Sequence, residues 1–330
     1  MKNYKIKKLS EVKKEKLIEF YLKVFKNRDE RLINNFDWCY RVGYKNLEPI
    51  IVEIDNKIIG HAGLIPVELK VNGENKLAIW FTDFAILPEF QGKGYGKILT
   101  KEWMKICPLQ ITFCNKYSLK IFKKFEWKEN FNFHRTIIPI NYFKFIPIIR
   151  DFNIFNLNKK IQGLFIKKIY DHSKFKEIST VEKKISHLVS LENKKNINEK
   201  THVIRNEDWF EWRLIKCPYK ANLHFFEYES DVLIANIFKK KNLKIMKLIY
   251  FSSYNNIELF RLLKLWCLQN DIDYIWSMEN KKFSSNKNYS FFLKKRTNFA
   301  FYSDDNSINN FFKSDINFQA IDSDSDFNYL

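Results

Sequence analysis

The chain of 330 residues holds only eight glycines, and three of them crowd into Gln91-Gly92-Lys93-Gly94-Tyr95-Gly96. The preceding run, Lys76 to Leu87, reads as a buried strand that Pro88 ends. The following run, 94–106, sets Ile98, Leu99, Trp103 and Ile106 on one helical stripe. A glycine-rich loop between a strand and a helix presents backbone N–H groups at a helix N-terminus, where the dipole favours an anion. Without Cβ atoms the backbone can approach a phosphate closely. Lys93 and Lys97 add positive charge. The ligand such a loop suits is a pyrophosphate. A tight turn without a ligand is the alternative, but it leaves three entropically costly glycines unexplained. A triphosphate-binding loop needs Gly-Lys-Ser/Thr, and Ile98 follows Gly96-Lys97 here. A dinucleotide fingerprint needs a glycine where Leu99 stands.

The flanks define the fold class. Leu17, Phe20, Tyr21 and Phe25 share one face of a helix over 12–25, and a second helix follows over 28–40. Strands are expected over 50–54, 58–71 and 76–87, with Asn72-Gly73 as a hairpin turn. Residues 109–113 read as a short buried strand, 115–124 as a helix and 127–138 as extended. This order predicts an α+β unit, a mixed sheet with helices on both faces.

Composition bounds the rest. With 45% hydrophobic and 17% aromatic residues the chain is not disordered, and its length suits two domains. The net charge of +19 could attract nucleic acid. Its lysines are scattered and not gathered into an arginine-rich stripe, so a compositional bias accounts for the charge better and nucleic acid is not expected as a partner. Cys39, Cys107, Cys114, Cys217 and Cys267 are widely spaced, which supports neither a zinc site nor a disulfide framework, and no metal is expected. No apolar signal peptide and no run near the ~20 residues of a membrane span is present. The expectation is a reduced, cytoplasmic protein.

The run Phe84 to Leu99 resembles the strand-loop-helix of the GNAT superfamily of acetyl-CoA-dependent N-acetyltransferases, whose loop reads Gln/Arg-x-x-Gly-x-Gly/Ala. Asn115-x-x-Ser118-x-x-x-Phe122-x-x-x-x-Trp127 resembles that family's second block. The resemblance covers roughly 3–140. It implies acetyl-CoA as co-substrate and direct transfer of acetyl to a primary amine of a small molecule, for which an amino sugar is a candidate. It implies that the backbone of Phe84, Ala85 and Ile86 pairs with the pantetheine arm. The loop Gln91, Gly92, Lys93, Gly94, Tyr95, Gly96 and Lys97 would hold the pyrophosphate, with Asn115 and Ser118 on the cofactor arm. The family's acid is usually Tyr, but Phe122 stands there, and Glu126 stands where it has Gly. Thr82 occupies the strand position that often carries a Glu base. Asp83 is adjacent, yet strict alternation turns it to the other face unless a bulge intervenes. Asp83 and His61 are the candidate bases; Tyr117, Ser118 and Cys114 are the candidate acids.

The second half repeats the pattern without the loop. Strands are expected at 223–229, 232–238, 244–251 and 272–276, with a helical stripe of Leu259, Leu262, Leu263 and Trp266. No glycine follows Gly163, and Ser252-Ser253-Tyr254 joins strand to helix. A degenerate GNAT-like copy is expected, serving substrate recognition or homodimerisation. The expected division is 1–141 for the acetyl-CoA-binding domain, 142–200 for a connecting helical segment and 201–330 for the degenerate copy. The aromatic, basic stretch 142–150 is expected to connect the domains, and 178–200 to be an exposed polar segment. Phe318–Asp326 reads as an edge strand in a frayed tail. Trp212 and Arg213, in a loosely GNAT-like Trp-Arg…Pro…Tyr pattern, either face a cleft or anchor a helix. Two competing functions remain: a tRNA-dependent aminoacyl transferase of the peptidoglycan-bridge type, and an inactive coenzyme A-binding module.

Overall fold

A computed structural model describes residues 3–25, 29–141, 175–178, 184–196, 201–253, 257–280, 293–312 and 316–323. The expected connector 142–150 and Tyr254 lie outside the described residues. In chain order the first half contains β1 (Lys5–Lys8), α1 (Lys14–Val24), α2 (Asp29–Cys39), β2 (Ile50–Ile54), β3 (Lys57–Val71), β4 (Glu74–Ile86), α3 (Tyr95–Met104), β5 (Leu109–Cys114), α4 (Lys116–Lys123), β6 (Lys128–Asn130) and β7 (Phe133–Pro139). The remainder contains β8 (Phe175–Ile178), a helix at Ile185–Asn196, β9 (Thr201–Val203), β10 (Leu223–Tyr228), β11 (Asp231–Lys240), β12 (Leu243–Phe251), a helix at Ile257–Gln269, β13 (Tyr274–Asn280), β14 (Leu293–Arg296) and β15 (Asn298–Ser303). Among the described residues no helix is long and apolar enough to cross a membrane.

The chain divides into two compact units, each with one mixed sheet. The first sheet runs β1-β2-β3-β4-β5-β15-β6, with β9 added alongside β3. The second runs β14-β7-β13-β12-β11-β10-β8. Along both paths every neighbouring pair is antiparallel except β4 with β5 and β12 with β13. The repeat inferred from the sequence is therefore a repeat of topology. Hairpin β3–β4 corresponds to β11–β12, and the parallel neighbour β5 corresponds to β13.

The contiguous division at 141 and 201 is replaced by an interleaved one. The first unit comprises 1–131, 200–204 and 298–316; the second comprises 132–199, 205–297 and 317–330. The exchange is reciprocal. Strand β15, late in the chain, lies between β5 and β6 of the first sheet. Strand β7, from the first half, lies between β13 and β14 of the second. The stretch 127–138 thus splits at Phe131–Asn132 into strands of different sheets. Alternation in a sequence fixes which face of a strand is buried but not which strand it pairs with.

Two further expectations change in the second unit. The polar segment 178–200 is not simply exposed: Phe175–Ile178 pairs with β10, and Ile185–Asn196 is a helix. Ile185, Leu188 and Glu192 lie one helical face apart and are buried. The tail is not an edge strand over 318–323. Ala320–Asp322 is a 3-10 turn, with Phe318, Ala320, Ile321 and Asp322 buried. A buried charge cluster holds it. Arg205 donates to Asp322 Oδ1 at 2.8 Å and Oδ2 at 2.6 Å and to Glu192 Oε2 at 2.5 Å, and Tyr250 donates to Glu192 Oε1 at 2.9 Å. Trp212 and Arg213 anchor a helical turn: both are buried, and Arg213 donates to the Ser323 carbonyl at 2.6 Å.

Candidate active site

In the first unit β4 and β5 are in register only at Ile79↔Gln110 and Trp80↔Ile111. One step on, the Thr112 hydroxyl replaces the ladder by donating to the Phe81 carbonyl at 2.8 Å. Beyond that point β5 stays paired to β15 along its length while β4 stays with β3. The end of β4 thus has no strand partner on its β5 side among the described residues. Phe84 and Ala85, half-buried, line this edge. Phe81, Trp103, Phe122 and Trp127 form an aromatic cluster beside it, with Phe81 4.2 Å from Trp103 and Phe122 4.6 Å from Trp127.

The chain then enters the glycine loop. Pro88–Phe90 makes a 3-10 turn, and the Gln91 amide donates back to the Ile86 carbonyl at 2.9 Å. Lys93 is drawn to the Glu89 carbonyl at 2.6 Å. Gly92 and Gly94 have φ of +73° and +87°, and Gly94 caps α3. A side chain at either position would be strained. Lys97 and Ile98 donate to the Gly94 carbonyl, which leaves the Gly94, Tyr95 and Gly96 N–H groups without intrahelical partners. The Tyr95 ring turns inward, 6.0 Å from Phe90 and 6.3 Å from Tyr4, so the loop shows its backbone to solvent. Gly96 is informative in another way. A Cβ there would meet only ordinary contacts at 3.8 Å, from Ile86 and Phe84. The fold itself does not demand glycine at 96. The site therefore fits a pyrophosphate.

Asn115 caps α4, its Oδ1 accepting from the Tyr117 and Ser118 N–H groups at 2.9 and 2.8 Å. The cap uses the amide oxygen, and the amide NH2 keeps its capacity to donate. Tyr117 is 80% exposed. Phe122 is buried in the aromatic cluster, and burial pushes the Cys114 thiol up to about 12.

The bulge that alternation lacked is present. Between the pairs His61↔Ala85 and Gly63↔Thr82, two β4 residues, Asp83 and Phe84, oppose the single residue Ala62. Asp83 takes φ +46°, a left-handed conformation that costs of order 1–3 kcal/mol and persists only where the surroundings hold it. Phe81 faces Trp103 of α3, and alternation would send Asp83 the same way. The bulge instead carries its carboxylate to the α1–α2 side. There the Tyr40 hydroxyl donates to Asp83 Oδ2 at 3.2 Å, while His61 Nδ1 lies 2.8 Å from the Asp83 carbonyl. His61 Nε2 is 3.2 Å from the Tyr21 hydroxyl. His61 is fully buried among Phe20, Tyr21, Phe25 and Tyr40, and burial pushes its pKa below the ordinary value.

Residues 12–127 match the acetyltransferase (GNAT) family. They form a GNAT domain. It is an acyltransferase domain. No curated sequence matches the chain. Among solved structures, the chain is similar to a GCN5-related N-acetyltransferase from Kribbella flavida, at TM-score 0.60 and 8% identity over 90% of this chain and 71% of that one. A GCN5-related N-acetyltransferase from Anabaena variabilis gives TM-score 0.59 and 10% identity over 90% and 72%. Saccharomyces cerevisiae N-myristoyltransferase with bound myristoyl-CoA gives 0.58 and 15% over 92% and 83%. At these identities the likeness speaks for the fold.

The second unit repeats the GNAT hairpin and its bulge without the chemistry. Between Ile234↔Tyr250 and Ala235↔Leu248, Ile249 of β12 is the extra residue. An isoleucine there offers no proton acceptor. The run from bulge to helix is Asp83 to Tyr95 in the GNAT domain but only Ile249 to Ile257 in the second unit. The shorter run has no glycine.

Tyr21 and Tyr40 escaped the sequence reading. Tyr21 sits on the apolar face of α1 and Tyr40 just after α2, where nothing separates a polar hydroxyl role from core packing. The one available signal was Gly60-His61-Ala62-Gly63, small residues flanking a histidine in a strand.

Proposed function

We propose that this chain is an acetyl-CoA-dependent N-acetyltransferase that moves acetyl directly to the primary amine of a small molecule, an amino sugar being the first candidate. The observation that carries the reading is the end of β4, without a strand partner on its β5 side among the described residues, running into a glycine loop whose backbone N–H groups open a helix. Phe84, Ala85 and Ile86 would bond the pantetheine arm, and the N–H groups of 92–97 the pyrophosphate, with Gln91 pinning the loop to Ile86. The Asn115 amide, beside Ser118, would hold the arm.

Acetyl-CoA, when bound, supplies a thioester carbonyl. Asp83 takes the proton from the acceptor's ammonium group. The freed nitrogen lone pair forms the C–N bond, the C–S bond breaks with its electron pair on sulfur, and the nitrogen releases its second proton to solvent water as the amide forms. Phe122 cannot donate a proton, and Tyr117 lies in solvent. The thiolate therefore leaves without a dedicated acid, which a thiol with an ordinary pKa near 8.5 tolerates.

Thermal-shift titration with acetyl-, butyryl- and myristoyl-CoA, followed by a free-thiol assay over an amino-sugar and amine panel, tests this. Acetyl-CoA at a hundredfold excess over its Kd should stabilise the chain by about 2.7 kcal/mol. Stabilisation by myristoyl-CoA alone would replace the acetyl group with a long acyl chain. No stabilisation by any thioester would end the reading.

A further inference from the structure

The polar groups around the Asp83 bulge have a defined hydrogen-bond direction. The Asp83 carbonyl can only accept, so His61 Nδ1, at 2.8 Å, carries the proton. Fully buried, the imidazole stays neutral, so Nε2 holds a lone pair and accepts from the Tyr21 hydroxyl at 3.2 Å. The Tyr40 hydroxyl donates to the Asp83 carboxylate at 3.2 Å. Tyr21 and Tyr40 also adjoin each other. Asp83 is thus held twice, at its backbone by His61 and at its carboxylate by Tyr40. Gly63 makes room for this. A Cβ there would lie 2.8 Å from the Thr82 carbonyl, 2.9 Å from Tyr40 Cε1 and 3.2 Å from His61 Cε1, and the backbone carbonyl cannot yield.

We propose that Tyr40 and His61, backed by Tyr21, are positioning residues that fix Asp83 in its left-handed bulge and aim its carboxylate at the acceptor amine. This rests on the reading of Asp83 as the base. His61 touches no substrate: both ring nitrogens are engaged inside the aromatic shell. Its role is to hold a carbonyl that would otherwise relax to extended geometry and carry the carboxylate to the α3 side. The titratable groups facing the carboxylate and the two phenols are His61 from β3, Tyr21 from α1, and Asp37, Cys39 and Tyr40 from α2 and its end.

The first measurement needs no turnover. In the full chain labelled with 15N-histidine, one imidazole, assigned through His61→Asn, should be neutral and Nδ1-protonated from pH 7 to 9 and titrate only below the ordinary 6.5. An imidazole that titrates near 6.5, or carries its proton on Nε2, overturns the proposal.

The second uses turnover of glucosamine, or of the best amine in the panel, with acetyl-CoA affinity checked in each variant. Tyr40→Phe removes one oxygen and keeps the packing. It should leave acetyl-CoA affinity and the acceptor KM within about twofold. It should lower kcat severalfold, because the carboxylate loses the donor that aims it. His61→Ala should lower kcat about 10²-fold or more, within the range a positioned base contributes. His61→Asn, whose amide can reproduce the Nδ1 donor, should recover much of that loss. An unchanged kcat in Tyr40→Phe, or equal losses in His61→Ala and His61→Asn, overturns the proposal. Asp83→Asn separates the two layers. If it retains turnover, the base reading itself fails; if it abolishes turnover while Tyr40→Phe behaves as wild type, only the positioning claim falls.

Discussion

At the scale of single residues, the first unit sorts its small and polar positions by what each must leave room for. Gly94 is required by its backbone, at φ +87°, and Gly96 is not required by the fold at all. Their substitutions should therefore behave in opposite ways. Gly94→Val strains the loop and abolishes acetyl-CoA binding. Gly96→Ala should leave stability unchanged or raise it by about 0.5–1 kcal/mol, since alanine is the better helix former. It should still weaken acetyl-CoA binding at least tenfold, because the methyl group occupies the phosphate's approach. Calorimetric titration alongside urea unfolding reads both; undiminished binding in Gly96→Ala would remove the loop from the cofactor site. His61 gives a prediction in pH. Its pKa is lowered from 6.5 by burial, so between its folded value and 6.5 the unfolded chain binds a proton that the folded chain refuses. Its contribution to stability is complete above 6.5 and is lost as pH falls below it. The loss runs at up to about 1.4 kcal/mol per pH unit until the folded pKa is reached. Urea unfolding at pH 5.5, 6.5 and 7.5 should show this slope in the wild type and a shallower one in His61→Asn. Parallel slopes would mean that the imidazole protonates in place.

At the scale of elements, most of what the sequence said about the GNAT domain is found in the structure, for a specific reason. Helices α1 and α3 each bury a periodic apolar face, β3 and the middle of β4 are continuous buried runs, and Asn72-Gly73 adopts the positive φ values its turn needs. The bulge at Asp83 could be named as a need but not located, because a bulge changes register without changing composition. Tyr21 and Tyr40 were invisible because a buried phenol and a buried benzyl ring make the same periodic pattern. In the second unit the sequence points away from the observed tail because Ser, Asn and Asp look like solvent-exposed residues. Asp322 is instead a buried counter-charge for Arg205, which also takes Glu192. A buried pair broken on one side leaves an uncompensated charge, at about 3–5 kcal/mol. Asp322→Asn should cost that much in urea unfolding. A loss below about 1 kcal/mol would show that the tail is not held by this cluster.

At the scale of the whole molecule, the reciprocal exchange of β7 and β15 decides how the two units can be tested. Neither half of the sequence contains a complete sheet. A fragment ending at 141 lacks β15, so β5 and β6 lose the strand between them and expose Phe113 and Trp80, which pack on Phe299. Such a fragment should fail to show a cooperative unfolding transition by circular dichroism, and a cooperative one would refute the dependence. Questions about each unit must therefore be put to the full chain. The sharpest is stoichiometry. Both units carry the hairpin, the bulge and the parallel neighbour, so topology alone would allow two acyl-CoA sites. Only the first has glycines at positive φ before its helix, and only its bulge carries a carboxylate; the second replaces them with a shorter run and Ile249. Calorimetry on the full chain should give one acetyl-CoA per chain, and Gly94→Val should give none. A stoichiometry near two, or residual tight binding in Gly94→Val, would place a cofactor site in the second unit, built without a glycine loop.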